Sequence, residues 1–213
     1  HNKSDVHYLL TTKLFCGKCG TMMAGESGRS HTGTIHCYYK CGTRKRGGRE
    51  ACSLKPVRKE PLEQFVVQTA LEKVLNRQAG DGTGLIYGLG HAVYTKSDPR
   101  AVILRKRAKH LAMEKGLQQE YDLLCAVERL GPVAMARVKK AKGVCANVDL
   151  YSGFIYRMLG ISEDLFTPLF AISRVPGWCA HRVEEVMFAN RIMRPAYKYL
   201  GHGQEYLPLE QRA

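Results

Sequence analysis

Four cysteines near the N-terminus have the spacing of a metal site. Cys16-Gly-Lys-Cys19 puts two thiols on one tight turn, and Cys41 and Cys52 follow at short range. Zinc takes four soft ligands in a tetrahedron, and two residues between the first pair let one turn present both thiolates. A second pair from the next hairpin would close the site. Cys37 rivals Cys41, because Cys37-Tyr-Tyr-Lys-Cys41 offers two thiols. His31 and His36 are alternative ligands that also suit an ordinary polar surface. A segment this small buries little apolar area, so a bound Zn2+ would supply folding free energy. Cys125, Cys145 and Cys179 are scattered and read as buried apolar fillers. With a Cys-x-x-Cys pair and no basic-then-apolar leader, metal binding in a reducing compartment is expected over disulfides, which places the chain in the cytoplasm.

Charge follows the same division. The net charge is +14, and residues 1–59 hold 12 Lys/Arg against 3 Asp/Glu, whereas residues 80–213 hold 19 against 13. A small segment with that excess suits contact with a polyanion, or a solvated loop surface. No run of about 18 apolar residues reads as membrane-spanning, so no membrane partner is expected.

The elements that must position these groups fall into three parts. Residues 1–59, rich in Gly, Thr, Tyr and Cys, read as small β-hairpins, with strands at Tyr8–Leu14 and Thr34–Lys40. Residues 60–80 hold a helix from Pro61 to about Gln78, broken by Ala79-Gly80-Asp81-Gly82-Thr83-Gly84. Residues 81–213 read as mostly helical. Asp98-Pro99 caps a helix over Ala101–Lys115. A second helix covers Gln118–Leu130, interrupted by Gly131-Pro132 before Val133–Lys140. Ser152–Leu159 is shorter, and Thr167-Pro168 opens an apolar stretch to Asn190. Trp178 reads as core. The fold class expected is mainly α with a small N-terminal zinc β-ribbon.

Tyr8-Leu9-Leu10, Phe15-Cys16-Gly17-Lys18-Cys19-Gly20, Met23, Tyr38-Tyr39-Lys40-Cys41, Arg44-Lys45-Arg46-Gly47-Gly48 and Cys52 resemble the zinc β-ribbon of large serine recombinases, over about residues 8–76. The resemblance implies that this module contacts DNA, with Arg44, Lys45, Arg46 and Arg49 neutralising phosphates. The recombinase's catalytic serine domain has no counterpart here, so cutting or joining of DNA by this chain is not expected.

A second series of blocks runs Gly88-Leu89-Gly90-His91-Ala92-Val93-Tyr94, Ser97-Asp98-Pro99-Arg100, Asn147-Val148-Asp149-Leu150-Tyr151-Ser152-Gly153, Phe166-Thr167-Pro168-Leu169-Phe170-Ala171-Ile172-Ser173-Arg174, Gly177-Trp178-Cys179-Ala180-His181 and Arg191-Ile192-Met193-Arg194-Pro195. Together, over about residues 81–212, they resemble the C-terminal part of citrate synthase, an acyltransferase that forms citrate and free coenzyme A from acetyl-CoA and oxaloacetate. The residue types suit that chemistry. A carbon–carbon bond between a thioester methyl and a 2-oxo acid needs a base for a weakly acidic C–H, and a carboxylate such as Asp149 can serve. The attacked ketone gains negative charge, which a hydrogen bond from His91 stabilises. Arginines match carboxylates bidentately.

The resemblance assigns Asp149 as base and His91 as donor, with Arg100 and Arg174 on oxaloacetate. It assigns Arg194 to the neighbouring subunit's site, which implies a homodimer. Leu85, Tyr87, Gly88 and Gly90 would lie near the adenine end of coenzyme A. As residues alone, Asp149 also suits a cap of the helix after Asn147, and Arg100 a solvated first-turn residue.

Two departures bear on activity. The family's other catalytic histidine has no counterpart in these residues, so the chain alone is not expected to be competent. Pro176 falls in a stretch that the resemblance makes helical and would kink it. Uncovered apolar faces at Phe166, Leu169, Phe170 and Ile172 are expected. The change of character near residues 72–80 admits two further readings, a DNA-binding ribbon remnant and a chimeric open reading frame without selected function.

Overall fold

The computed structural model describes residues 6–188 and 207–211. It divides into two compact units, one through Phe166 and one from Thr167 onward. In the first, β1 (Met23–Arg29) and β2 (Ile35–Cys41) form an antiparallel hairpin, Arg29 opposite Ile35 and Met23 opposite Cys41. The five-residue connection turns at Gly33, whose φ of 84° is a left-handed value glycine adopts without strain. Helix α1 (Gly42–Ala51) follows, then β3 (Val57–Arg58), which pairs antiparallel with β2. Helices α2 (Lys59–Leu75), α3 (Pro99–Lys115), α4 (Gln118–Lys139) and α5 (Asp149–Met158) complete the unit. The mainly α fold with a small N-terminal β-ribbon is thus observed.

Several local expectations change. Tyr8–Leu14 forms turns and not a strand. Its backbone is drawn to side chains instead: Leu9 N–H donates to Glu63 Oε1 (2.8 Å) and Leu10 N–H to the Tyr39 hydroxyl (2.9 Å). The second strand pairs with β1, which the sequence reading left unassigned. Helix α4 runs unbroken through Pro132. Proline removes one helical hydrogen bond, but Ala126, Leu130 and Ala134 bury against Val67, Leu71 and Leu75 of α2, and that packing holds the helix straight through. Gly131 is buried on α4 because Leu89 occupies the space a side chain would need.

One buried carboxylate ties the ribbon to the helices. Glu63 on α2 accepts from Tyr39 Oη (2.6 Å) and Leu9 N, and pairs with Lys59 Nζ at 2.8 Å. From the other side, Gln119 on α4 donates to the carbonyls of Tyr8 and Leu9. Tyr8 stacks edge-on against Tyr39, with centroids 5.2 Å apart. Burial raises the Tyr39 hydroxyl pKa, and the hydrogen bond to Glu63 adds to it. These contacts make the ribbon and α2–α5 one packed body.

From Phe166 onward, the helical stretch breaks into α6 (Phe166–Ile172) and α7 (Val175–Phe188). Pro176 is the second residue of α7, where its missing N–H costs nothing; the chain yields by turning at Ser173-Arg174 rather than by kinking. Ile172 is exposed, as expected of an uncovered face, while Phe166, Leu169 and Phe170 are half-buried. Trp178 is not core: 56% of its surface is exposed. Cys145 is buried and Cys125 half-buried, but Cys179 is exposed, so the apolar-filler reading fails there. No helix among the described residues is long and apolar enough to cross a membrane.

Candidate functional site

The loop at residues 85–95 is held to the segment before α5 by backbone pairing. Gly90 N–H donates to Cys145 O (2.8 Å) and Asn147 N–H to Gly88 O (2.9 Å), around an isolated antiparallel bridge between Leu89 and Ala146. The Asn147 side chain completes the join, donating to Gly90 O at 2.8 Å and accepting from Asp149 N–H at 2.9 Å. Gly88 sits at φ 83° and so close to Leu150 that an added Cβ would lie 2.6 Å from Leu150 Cα. This join sets His91 at the end of the loop and Asp149, exposed, at the start of α5.

His91 Nδ1 accepts two backbone N–H groups, from Val93 (3.0 Å) and Tyr94 (3.1 Å). A nitrogen that accepts carries no proton, so the ring proton is on Nε2. Nε2 lies 3.2 Å from Arg100 Nη2, itself a donor. The imidazole and the guanidinium thus stand side by side in direct contact, and both carry groups able to donate to a carbonyl or carboxylate oxygen. The Tyr94 ring braces both partners, 4.7 Å from the His91 centroid and 5.9 Å from the Arg100 guanidinium.

Arg100 is aimed by Asp98, a residue the sequence reading assigned only as helix cap. Asp98 does cap α3, accepting from Arg100 N–H at 2.9 Å. It also takes Arg100 Nε (3.0 Å) and Nη2 (2.8 Å), with only 1% of its surface exposed. The signal available was the i, i+2 pairing of an acid with an arginine across Pro99. The Asp98 hydrogen bond raises the Arg100 pKa against the cost of desolvation, and the charges of Asp98, Tyr94 and Asp149 add to it. In turn, the Arg100 hydrogen bond holds the Asp98 carboxyl below the usual aspartate range. A depressed carboxylate pKa contributes stability that is complete above the ordinary value near ~3.9 and is lost as pH falls through the folded-state value. We expect Asp98→Asn to lose about 1–2 kcal/mol at neutral pH, discounted for solvent screening of the arginine. Urea melts of variant and parent should converge in acid; a constant gap at every pH would argue against this pairing.

Among the proposed coenzyme contacts, Leu85 and Tyr87 are exposed and Gly88 is buried. The Tyr87 hydroxyl donates to Asp81 at 2.7 Å. Hydrogen bonds, first from Thr83, hold Asp81 down at about 2. Arg174 belongs to the second unit, in the turn between α6 and α7, with its guanidinium 4.1 Å from the Phe170 ring centroid. Arg194 lies outside the described residues.

The four cysteines of the ribbon also converge. The sulfurs of Cys16, Cys19, Cys41 and Cys52 all lie within 4.8 Å of one another. Cys16 and Cys52 are 3.7 Å apart and Cys19 and Cys41 are 3.3 Å apart. A tetrahedral site with metal–sulfur bonds of about 2.3 Å has edges near ~3.8 Å, so these thiols fit it. The first pair rides a turn in which Gly20 N–H donates to Cys16 O, and Cys41 ends β2. Cys52 does not come from a second hairpin, as expected, but from just beyond α1. Backbone donation, from Thr21 first, lowers the Cys19 thiol to about 5, as suits a thiolate ligand. Cys37, four residues before Cys41, is outside the cluster, as are His31 and His36.

The basic cluster lies on α1 rather than in a loop. Arg44 is turned inward, donating to Cys52 O at 3.1 Å, and Lys45 faces Glu26 at 3.8 Å. Arg46 and Arg49 are exposed.

Comparison with known proteins finds two families along the chain. Residues 51–196 match the family model described as citrate synthase, C-terminal domain, and this chain belongs to that family. Residues 9–71 match the recombinase zinc beta ribbon domain. The two matches overlap over residues 51–71, so most of α2 lies in both. A citrate synthase of Synechocystis sp. is 43% identical over 128 residues, 60% of this chain and 31% of that protein. One of Deinococcus radiodurans is 41% identical over 133 residues, 62% and 34% respectively. The solved ternary complex of carboxymethyl coenzyme A and oxaloacetate with the Thermoplasma acidophilum citrate synthase is 30% identical, with a TM-score of 0.46, covering 72% of this chain and 44% of that one. The chain thus spans about a third of the length of the curated relatives it matches.

Proposed function

We propose that residues 81–213 supply part of a citrate-forming active site, and that the 213-residue chain alone does not turn over. The observation that carries this is the direct contact of His91 Nε2 with Arg100 Nη2, 3.2 Å apart, which sets two groups able to donate to an oxygen side by side. Oxaloacetate would place its carbonyl oxygen against the His91 N–H and a carboxylate on Arg100 and Arg174. Asp149 would take a proton from the acetyl methyl of acetyl-CoA, and the resulting carbanion would attack the carbonyl carbon. His91 and Arg100 would stabilise the oxygen's developing charge, and water would then release coenzyme A from the citryl thioester. Leu85, Tyr87, Gly88 and Gly90 would flank the coenzyme's adenine end. Arg194 would complete the site across a homodimer in the cytoplasm.

Coenzyme A release from acetyl-CoA and oxaloacetate, measured beside Asp149→Asn, tests this. Absence of release in folded protein supports a site that needs a complementing polypeptide. Release abolished by Asp149→Asn overturns the claim of incompetence.

A second reading concerns the ribbon, and Arg46 and Arg49, exposed and without a side-chain partner among the described residues, favour it. Cys16, Cys19, Cys41 and Cys52 would hold one structural Zn2+, which ties the turn, β2 and the chain after α1 together. The module would then bind DNA through the basic residues of α1, with Arg44 and Lys45 adding charge from more committed positions.

A further inference from the structure

A hollow opens beside α1, walled in part by Arg44, Arg49, Ser53 and Lys55. Arg44 and Arg49 are five residues apart, and an unbroken helix of 3.6 residues per turn would point them about 140° apart. They line one hollow because the helix breaks between them. Gly48 has φ 72° and ψ −161°, a region essentially closed to other residues. A Cβ there would meet open space, so the backbone conformation alone requires the glycine.

The cysteine cluster supports the rest of the wall. Arg44 Nη1 donates to the carbonyl of Cys52 at 3.1 Å, and Ser53 follows that cysteine directly. Lys18, the neighbour of Cys19, donates from Nζ to Ser53 Oγ at 2.9 Å. Ser53 accepts there, so its own O–H remains free to donate. Glu26 is the acid of this hollow, and Lys40 (3.3 Å) and Lys45 (3.8 Å) both face it. Arg49 and Lys55 are exposed and have no hydrogen-bond or ion-pair partner among the described residues. A hollow lined by guanidinium, ammonium and hydroxyl donors, whose acid is already answered by two lysines, suits a phosphate.

We propose that this hollow seats one backbone phosphate of DNA, held by Arg49, Lys55 and the Ser53 hydroxyl, and that the break at Gly48 is what brings Arg49 to it. The proposal rests on the reading of the ribbon as a DNA-binding module and gives that module a defined phosphate seat. A phosphate contact carries no base information, so the seat fixes the position of the ribbon on DNA and not its sequence preference.

Fluorescence anisotropy with the full, zinc-loaded chain tests this, using two labelled duplexes of equal length and unrelated sequence. Arg49→Gln with Lys55→Gln should weaken both duplexes alike and reduce the slope of log affinity against log salt by about 1. Lys13→Gln with Arg29→Gln removes the same charge from elsewhere on the ribbon and should leave the slope near that of the parent. Gly48→Ala keeps every charge. It should weaken binding about fivefold, as for the loss of one exposed charged contact, while metal analysis still finds the zinc of the parent. The inference fails if the control pair costs as much as the pair in the hollow, or if Gly48→Ala binds like the parent. It also fails if micromolar inorganic phosphate displaces the duplex, which would make this a free-anion site. Duplex binding that survives the variants unchanged leaves the ribbon's DNA role standing without the seat. No duplex binding by the parent chain ends both.

Discussion

Replacing Cys41 by serine is expected to release the zinc we propose and to unfold residues 9–58, the largest single-residue effect in the chain. Binding of a structural zinc by a small domain is worth on the order of 10 kcal/mol or more, and little else holds this segment. Its buried cluster is Cys16, Met23, Tyr39, Cys41 and Cys52, three of them ligand candidates. The loss should spread, because Tyr39 orients Glu63 and Glu63 lies on the helix that packs against α4. Metal analysis should show about one zinc per parent chain and none in the variant, with a lower thermal midpoint for the helices too. Cys37→Ser is the control. It changes a thiol outside the cluster and should keep both zinc and midpoint. Zinc retained by Cys41→Ser and lost by Cys37→Ser would reverse the ligand assignment.

The second large effect is expected at Gly88. Valine there would have to adopt a φ of 83° and force its Cβ within 2.6–2.9 Å of Leu150 backbone atoms. Left-handed strain and overpacking each cost about 1–3 kcal/mol, so a loss of roughly 4 kcal/mol follows. In a chain of this size that is a fall of about 8–16 °C in thermal midpoint. Gly90→Ala separates the two causes. Its φ is 95° but open space surrounds it, so only the strain remains and the loss should be near ~1 kcal/mol. Equal midpoints for the two variants would mean that Leu150 yields, and that the join between the His91 loop and α5 is looser than its geometry implies.

Legibility in the sequence followed the range of the interactions involved. Helices α2 and α3 were readable because helical periodicity and, in α3, the Asp98-Pro99 cap are local signals. The four cysteines were readable because zinc chemistry restricts ligand type and spacing. The misreadings arise where distant partners decide. Tyr8–Leu14 has strand composition, yet Glu63 and Tyr39 take its N–H groups. Gly131-Pro132 reads as a break, yet burial against α2 keeps α4 whole. Trp178 has a core residue's composition but stands exposed. At the site, His91, Arg100 and Asp149 were visible through motif order. The roles of Asp98 and Asn147 were not, because each looks like an ordinary cap until its second set of partners is seen.

The long reach of the α2–α4 contact has a consequence during synthesis. Leu75 leaves the ribosome about 55 residues before Leu130, its packing partner, and translation proceeds at roughly 5–20 residues per second. For about 3–11 seconds, the apolar stripe Val67, Leu71 and Leu75 is made but uncovered, attached to a ribbon that would already close around the zinc we propose. Nascent chains starved of zinc would lack even that early anchor. The period between these two events is when a chaperone, or a neighbouring nascent chain, has access to α2.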